Sequence, residues 1–251
     1  MKTSKSLYFN LNVDSKTKLD TIKSLGYDEF FTGINDAKET LQFKEQLAYA
    51  NKIGLQCTMV HCSYFSPSLN SIWLAGKAGD DVIDDYINQI NMCGTLSKNF
   101  VVHLHGSKES VTSQIGIERI KRLLSACEKY NLNLCVENLY SDKEIPYIFQ
   151  NLSHPLLKIC YDSGHKNFFT PSFDLCEKYG KYIAVLHLHE NDGNRDEHKK
   201  LSIGSPVFLK LKNEIKFIDK NVVLASESKC KEENWQEYLK EDLFAMKNLE
   251  K

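Results

Sequence analysis

Short apolar runs alternate with longer amphipathic stretches along the whole chain. Those at 6–10, 28–31, 55–61, 100–105, 134–138, 157–162, 182–187 and 221–227 predict eight strands. Between them, 3.6-residue spacing predicts helices. The first is capped by Asp14 and ends before Gly26, and the second covers 37–53 with Gly54 past its end. Others fall near 80–97, 114–130, 142–152, 171–180, 206–218 and 232–248, the one at 142–152 having the poorest pattern. Runs such as NVVLA at 221–225 are almost continuously apolar, as strands covered on both faces of a parallel sheet require. Eight strand–helix units in 251 residues, with no linker-like segment, predict an α/β chain folded as one (β/α)8 TIM barrel domain over 1–251. An open doubly wound sheet would give the same alternation. However, NLNVD at 10–14 lacks the glycines of a dinucleotide-binding turn.

The strand ends carry the chemistry. His61 ends the third strand, His103 and His105 the fourth, Glu137 the fifth and Asp162 the sixth. His187 and His189 end the seventh, and Glu227 ends the eighth. In a barrel these ends share one rim. A lone histidine at a strand end is ordinarily a hydrogen-bonded structural residue, and a lone glutamate ordinarily begins a solvated loop. Six consecutive strands ending this way differ, because buried carboxylates and imidazoles need compensating charge. A divalent metal supplies it, with Glu, Asp and His as oxygen and nitrogen ligands. Equal parity lets both members of His103/His105 and of His187/His189 point inward, the second standing higher, where a substrate would sit. His165 follows the sixth strand by three residues, and Arg195, Asp196 and His198 crowd the loop after the seventh. A solvated turn explains that loop's polarity but not its imidazoles.

Composition bears on partners and location. Lys and Arg total 32 against 33 Asp and Glu, so nothing draws the chain as a whole to nucleic acid or to an anionic membrane. No apolar run approaches the roughly 20 residues of a membrane span, and the N-terminal stretch lacks the apolar centre of a signal peptide. The eight cysteines form no CxxC and fall mostly inside predicted elements. They read as small apolar fillers in a reduced, cytoplasmic protein. Trp235, Tyr238, Leu239, Leu243 and Met246 make one apolar face of the last helix. That face is expected to close the barrel, with a homodimer contact as its alternative use.

In chain order the motifs are VHCSY at 60–64, VH at 102–103 with GS at 106–107, VEN at 136–138, YDSGH at 161–165, HLHENDG at 187–193, DEH at 196–198, and Glu227. Together they resemble the xylose-isomerase-like barrels. That group includes sugar and sugar-phosphate isomerases and epimerases and the family-2 AP endonucleases of the endonuclease IV type. The resemblance implies that Glu137, Asp162, His187 and Glu227 hold one divalent metal (Mn, Mg, Co or Zn). The metal would hold adjacent oxygens of a keto sugar or polyol, with Glu137 and Glu227 as base and acid from opposite sides. In the endonuclease branch, His61, His103, His165, Asp196 and His198 match positions that help hold further zinc ions, up to three in all.

The two branches differ in what surrounds the metal. An isomerase or epimerase abstracts a proton alpha to a carbonyl and stabilises the enediolate. There, His165 and His189 would orient hydroxyls and Arg195 would receive a carboxylate or phosphate. A DNA-acting relative needs a positive rim with wedges for bending or flipping. The rim loops here instead carry Asp80, Asp81, Glu144, Glu190, Asp192, Asp196 and Glu197, and Lys199–Lys200 is the one compact basic pair. FNLN at 9–12 also lacks the Gly-x-His-x-Ser stretch of the DNA-repair relatives, and LSIG at 201–204 keeps one glycine of the Gly-x-Gly turn usual in both branches. The expectation is a metal-dependent isomerase or epimerase acting on a small carbohydrate rather than on nucleic acid. A multi-zinc phosphodiesterase is the alternative. A barrel without catalysis is disfavoured by the intact four-residue set.

Overall fold

The first strand, β1 (Lys2–Ser6), consists entirely of polar residues, four of them buried. Lys5 is held there by Ser226, Ser228 and Asp242, so an apolar criterion passes over the strand. The strand expected at 6–10 is instead a 3-10 turn, Leu7–Phe9, whose Tyr8 amide donates to the Ser6 hydroxyl. The structure is a computed structural model describing residues 1–10, 12–34, 39–63, 69–109, 111–230 and 233–250, apart from the side chains of 39–41. Positions 11 and 64 of the motifs above, and the expected helix starts at 37 and 232, lie outside the described residues.

Seven further strands follow: β2 (Glu29–Gly33), β3 (Gln56–His61), β4 (Asn99–Val102), β5 (Asn133–Glu137), β6 (Leu157–Asp162), β7 (Ile183–Leu188) and β8 (Val223–Ser226). Each runs parallel to its neighbours, and β8 pairs with β1, Lys5 opposite Ser226, to close the barrel. The (β/α)8 architecture predicted from periodicity is therefore the fold. The helices are α1 (Ser15–Leu25), α2 (Glu39–Ile53), α3 (Lys77–Cys93), α4 (Gln114–Glu128), α5 (Glu144–Asn151), α6 (Ser163–Phe168), α7 (Leu175–Tyr179), α8 (Pro206–Glu214) and α9 (Trp235–Asn248).

Local chemistry sets the ends. Asp14 accepts from the Thr17 amide at 2.9 Å to begin α1, and Gly26 ends it at a φ of 86° that other residues resist. Ser205 caps α8 with Pro206 at its first position. Two further expectations needed correction. β4 stops at Val102 rather than at 105, and the helix expected at 171–180 shrinks to α7, while the short α6 was not anticipated. Asp162 explains α6: it ends β6 and its carboxylate accepts from the His165 amide at 2.6 Å, starting a helix directly off the strand.

Inside the barrel, Phe31, Met59, Val101, Cys135, Cys160, Val185 and Ala225 pack into an apolar plug. Alternation then places the residue two positions on at the same azimuth, one level higher. For six of these strands that residue is His61, His103, Glu137, Asp162, His187 or Glu227. The plug therefore forms the floor beneath a polar layer. Between strands and helices lies the larger outer core, to which α9 contributes Trp235, Tyr238, Leu239, Leu243 and Met246. Its apolar face closes the barrel, as expected. All eight cysteines are free. Among the described residues no helix is long and apolar enough to cross a membrane.

Candidate metal centre

Glu137, wholly buried at the end of β5, is the hub of the polar layer. Its two carboxylate oxygens face different groups. Oε2 lies 3.1 Å from His61 Nε2 and 2.8 Å from His103 Nε2. Oε1 lies 3.2 Å from both His187 Nδ1 and His165 Nδ1. The same His187 nitrogen is 3.5 Å from Glu227 Oε1 and 3.9 Å from Asp162 Oδ2. Glu137, Asp162, His187 and Glu227 thus each offer a donor atom, all within 4.8 Å of one another.

A second group lies above. Asp196 Oδ2 is 3.1 Å from His198 Nε2 and 3.6 Å from His165 Nε2. His189 contacts Asp162 at 3.0 Å and stacks on His198, ring centroids 4.0 Å apart. The loop returns His198 to this place because Glu190 and Lys199 pair across it, each amide donating to the other's carbonyl. His198 takes a φ of 52°, the left-handed region, which a non-glycine residue adopts only when its surroundings hold it there.

Burial opposes charge on all these groups, yet their mutual attraction prevails at most of them. Burial raises the Glu137 carboxyl, but His187 and His103 hold it well below the usual range. Asp162 and Glu227 are likewise held down by neighbouring imidazoles against the effect of burial. His61 and His165 are lifted well above the ordinary imidazole value against burial. At His61 the Cys62 side chain and Glu137 are responsible, and at His165 the carboxylates of Asp162, Asp196 and Glu137. His103 goes the other way, because burial outweighs Glu137 there. Two buried carboxylates and a half-buried third, Glu227, converge on one imidazole and make a donor set of hard oxygen and borderline nitrogen that fits a divalent cation, which would displace the ring protons.

The barrel opens onto this layer through a cavity of about 360 Å³ whose walls include Glu137, Glu227, His61, His103, His165 and Asp196. A larger hollow of about 750 Å³ lies at the other mouth, but among the described residues no cluster of metal donors lines it. A profile of the family described as xylose isomerase-like TIM barrel matches residues 19–249. The chain belongs to that family.

Several solved structures superpose along nearly the whole chain. A D-psicose 3-epimerase from Clostridium cellulolyticum H10, solved with D-tagatose, gives a TM-score of 0.79 at 15% identity, covering 99% of each chain. A D-tagatose 3-epimerase-like protein gives 0.75 at 18%, also with 99% of each covered. The 3-keto-D-glucoside 4-epimerase of E. coli gives 0.74 at 15%, with 98% of each covered. Curated relatives match over shorter stretches. An uncharacterized protein of Sinorhizobium fredii is 29% identical over 79 residues, 29% of this chain and 25% of that protein. One of Methanocaldococcus jannaschii is 30% identical over 112 residues, 41% of this chain and 42% of that protein. The chain thus spans under half the length of the curated relatives it matches.

Of the twelve residues singled out from the sequence, eight make up the two groups described above, and His61 and His103 join them through Glu137. The exceptions are instructive. Because β4 ends at Val102, alternation no longer governs His105. Its buried ring stands at the cavity's flank, Nδ1 2.9 Å from Glu144 and edge-on to Trp73. Arg195 turns outward, 77% exposed, and pairs with Glu197 at 2.9 Å.

Other residues that shape the site were not read from the sequence. Asn138 accepts from the Asp162 amide at 2.7 Å and donates to the Asp162 carbonyl at 3.0 Å. Ser163 holds the His189 main chain through its hydroxyl, and Asn191 donates to the Gly164 carbonyl at 2.8 Å. Asn138, Ser163 and Gly164 sit beside ligand-type residues in VEN and YDSGH, the only signal available for them.

Proposed function

We propose that this protein is a single-domain, divalent-metal-dependent isomerase or epimerase acting on a small sugar, sugar phosphate or keto-polyol. The observation that carries the reading is the convergence of Glu137, Asp162, His187 and Glu227 at the floor of a sugar-sized cavity on the C-terminal rim. The epimerases among the structural neighbours support the same class. Those four residues would hold the metal, which when bound polarises a carbonyl and ties down adjacent oxygens. Glu137 and Glu227, arriving from opposite arcs of the barrel, supply the base that removes the alpha proton and the acid that returns it. Asp162 stays fixed by Asn138 and the start of α6, so it orients rather than moves. His165 and His189 line the upper layer, where their ring N–H groups can orient hydroxyls. The free thiols support a reducing, cytoplasmic location.

A second reading, a multi-metal phosphodiester hydrolase of the AP endonuclease type, is favoured by one observation. Donors continue beyond the four-residue set, with His61 and His103 on the far oxygen of Glu137 and with His165, His198 and Asp196 above. Elemental analysis of protein purified without added metal or chelator separates the two. One ion per chain, with deuterium from solvent entering the alpha carbon of a ketose or ketose phosphate, supports the first. Two or three zinc ions with nicking of abasic-site DNA and no exchange in sugars replaces it with the second.

A further inference from the structure

Glu227 projects inward to the metal centre, but the residues on either side of it face the other way. Ser226 and Ser228 are fully buried on the outside of β8, beneath α9. From the neighbouring strand, Lys5 Nζ donates to Ser226 Oγ at 2.8 Å, Ser228 Oγ at 2.6 Å and the Ser228 carbonyl at 2.9 Å. Asp242 Oδ2, from α9, accepts from both hydroxyls and pairs with Lys5 at 3.2 Å. Among the described residues, this is the one lysine–carboxylate pair whose two side chains are both wholly buried.

A buried ion pair of this kind is a poor source of stability, since apolar residues of similar volume commonly do as well. It does impose direction. An ammonium has three donors and no acceptor, and here they are directed at oxygens of residues 226 and 228 and of Asp242. The Glu227 amide is tied separately to the Leu188 carbonyl at 3.1 Å. The main chain on both sides of Glu227 is therefore clamped from the outer face of the barrel.

We infer that Lys5, Ser226, Ser228 and Asp242 are positioning residues that set where the Glu227 carboxylate stands in the metal centre. The inference rests on the reading of Glu227 as a metal ligand. Loss of a group that orients a ligand without touching the metal typically weakens binding about 10–100-fold.

The test titrates metal-free protein with Mn²⁺ and with Zn²⁺ alone and records the visible spectrum of the Co²⁺ form, which reports ligand geometry independently of turnover. The variants are Glu227→Gln, Ser226→Ala and Ser228→Ala. Asn99→Ala is the control, since Asn99 is buried at the opposite mouth, where it donates to the Thr58 carbonyl at 3.1 Å. The expected result is one binding step weakened by Glu227→Gln, with the same step weakened about 10–100-fold by each serine variant. The Co²⁺ spectrum of each serine variant is altered, and Asn99→Ala binds as wild type at comparable thermal stability. Wild-type affinity and spectrum in both serine variants, beside a weakened Glu227→Gln, would overturn the positioning role and leave the metal centre standing. An equal loss in Asn99→Ala would overturn it too, by showing a general effect of destabilisation. Wild-type affinity in Glu227→Gln would remove Glu227 as a ligand, and the inference with it.

Discussion

The imidazole of His189 lies directly over the bare Cα of Gly164: a Cβ built there would fall 1.9 Å from His189 Cε1. This close approach lets His189 reach Asp162 at 3.0 Å while stacking on His198. Gly164→Ala is expected to push the ring off Asp162. Overpacking of a filled interior costs about 1–3 kcal/mol, so a thermal melt should show a modest loss of stability, and elemental analysis a fall in metal content. The same destabilisation with undiminished metal would reduce Gly164 to a packing residue.

The paired charges of the site predict an unusual pH dependence for the metal-free protein. Glu137, Asp162, Asp196 and Glu227 have carboxyls held below their usual range. Their contribution is present above the unfolded value, about 4, and is lost as pH falls. His61, His165, His187 and His189 are raised. Theirs is fully present below about 6.5 and is lost as pH climbs, with His103 opposing in sign. Stripped protein should therefore resist urea better at pH 5.5 than at pH 8.5. Metal saturation should reverse the order, because ligation needs neutral rings. A metal-free protein that gains stability between those two conditions would contradict the imidazolium–carboxylate pairing.

Lys5→Met leaves Asp242 as an uncompensated buried charge and is expected to destabilise the fold by about 3–5 kcal/mol. Lys5→Met combined with Asp242→Leu should lose less than the sum of the single changes, since both charges leave together. Denaturant midpoints of the four proteins in the cycle measure the coupling. Additive losses would mean that the pair does not interact.

Cys135 and Cys160 belong to the apolar plug, and burial pushes both thiols up. Burial takes Cys93 up to about 12 against a backbone hydrogen bond from Ser97, and Cys127 reaches about 12 through burial with help from Cys93. Thiolate is the reactive form, so the native protein should react slowly with a disulfide reagent at pH 8 and show all eight thiols once unfolded in guanidinium. Stability should fall as pH climbs above the ordinary thiol range, since the fold keeps these protons. Rapid native labelling of more than one or two thiols would show that the barrel opens more readily than its packing implies.

The barrel and the order of its rim residues were legible because both are local properties of the chain. Apolar period and the number of repeats determine a closed parallel sheet, and a ligand-type residue at each of six strand ends is a position along one strand. Alternation even gives its height, two residues above the plug. What the sequence could not carry is azimuth and partner choice. The division of Glu137 between His61 and His103 on one oxygen and His187 and His165 on the other depends on strands far apart in the chain. So does the diversion of His105 toward Glu144. Arg195 illustrates the same limit at short range, because a carboxylate two residues away turned it outward. The polar β1 was hidden for a related reason: Lys5 is buried only because Ser226, Ser228 and Asp242 arrive from the other end of the chain. Pattern along one strand specifies face and level, whereas the compensation of a buried charge is a tertiary property, decided by which elements the closed sheet brings side by side.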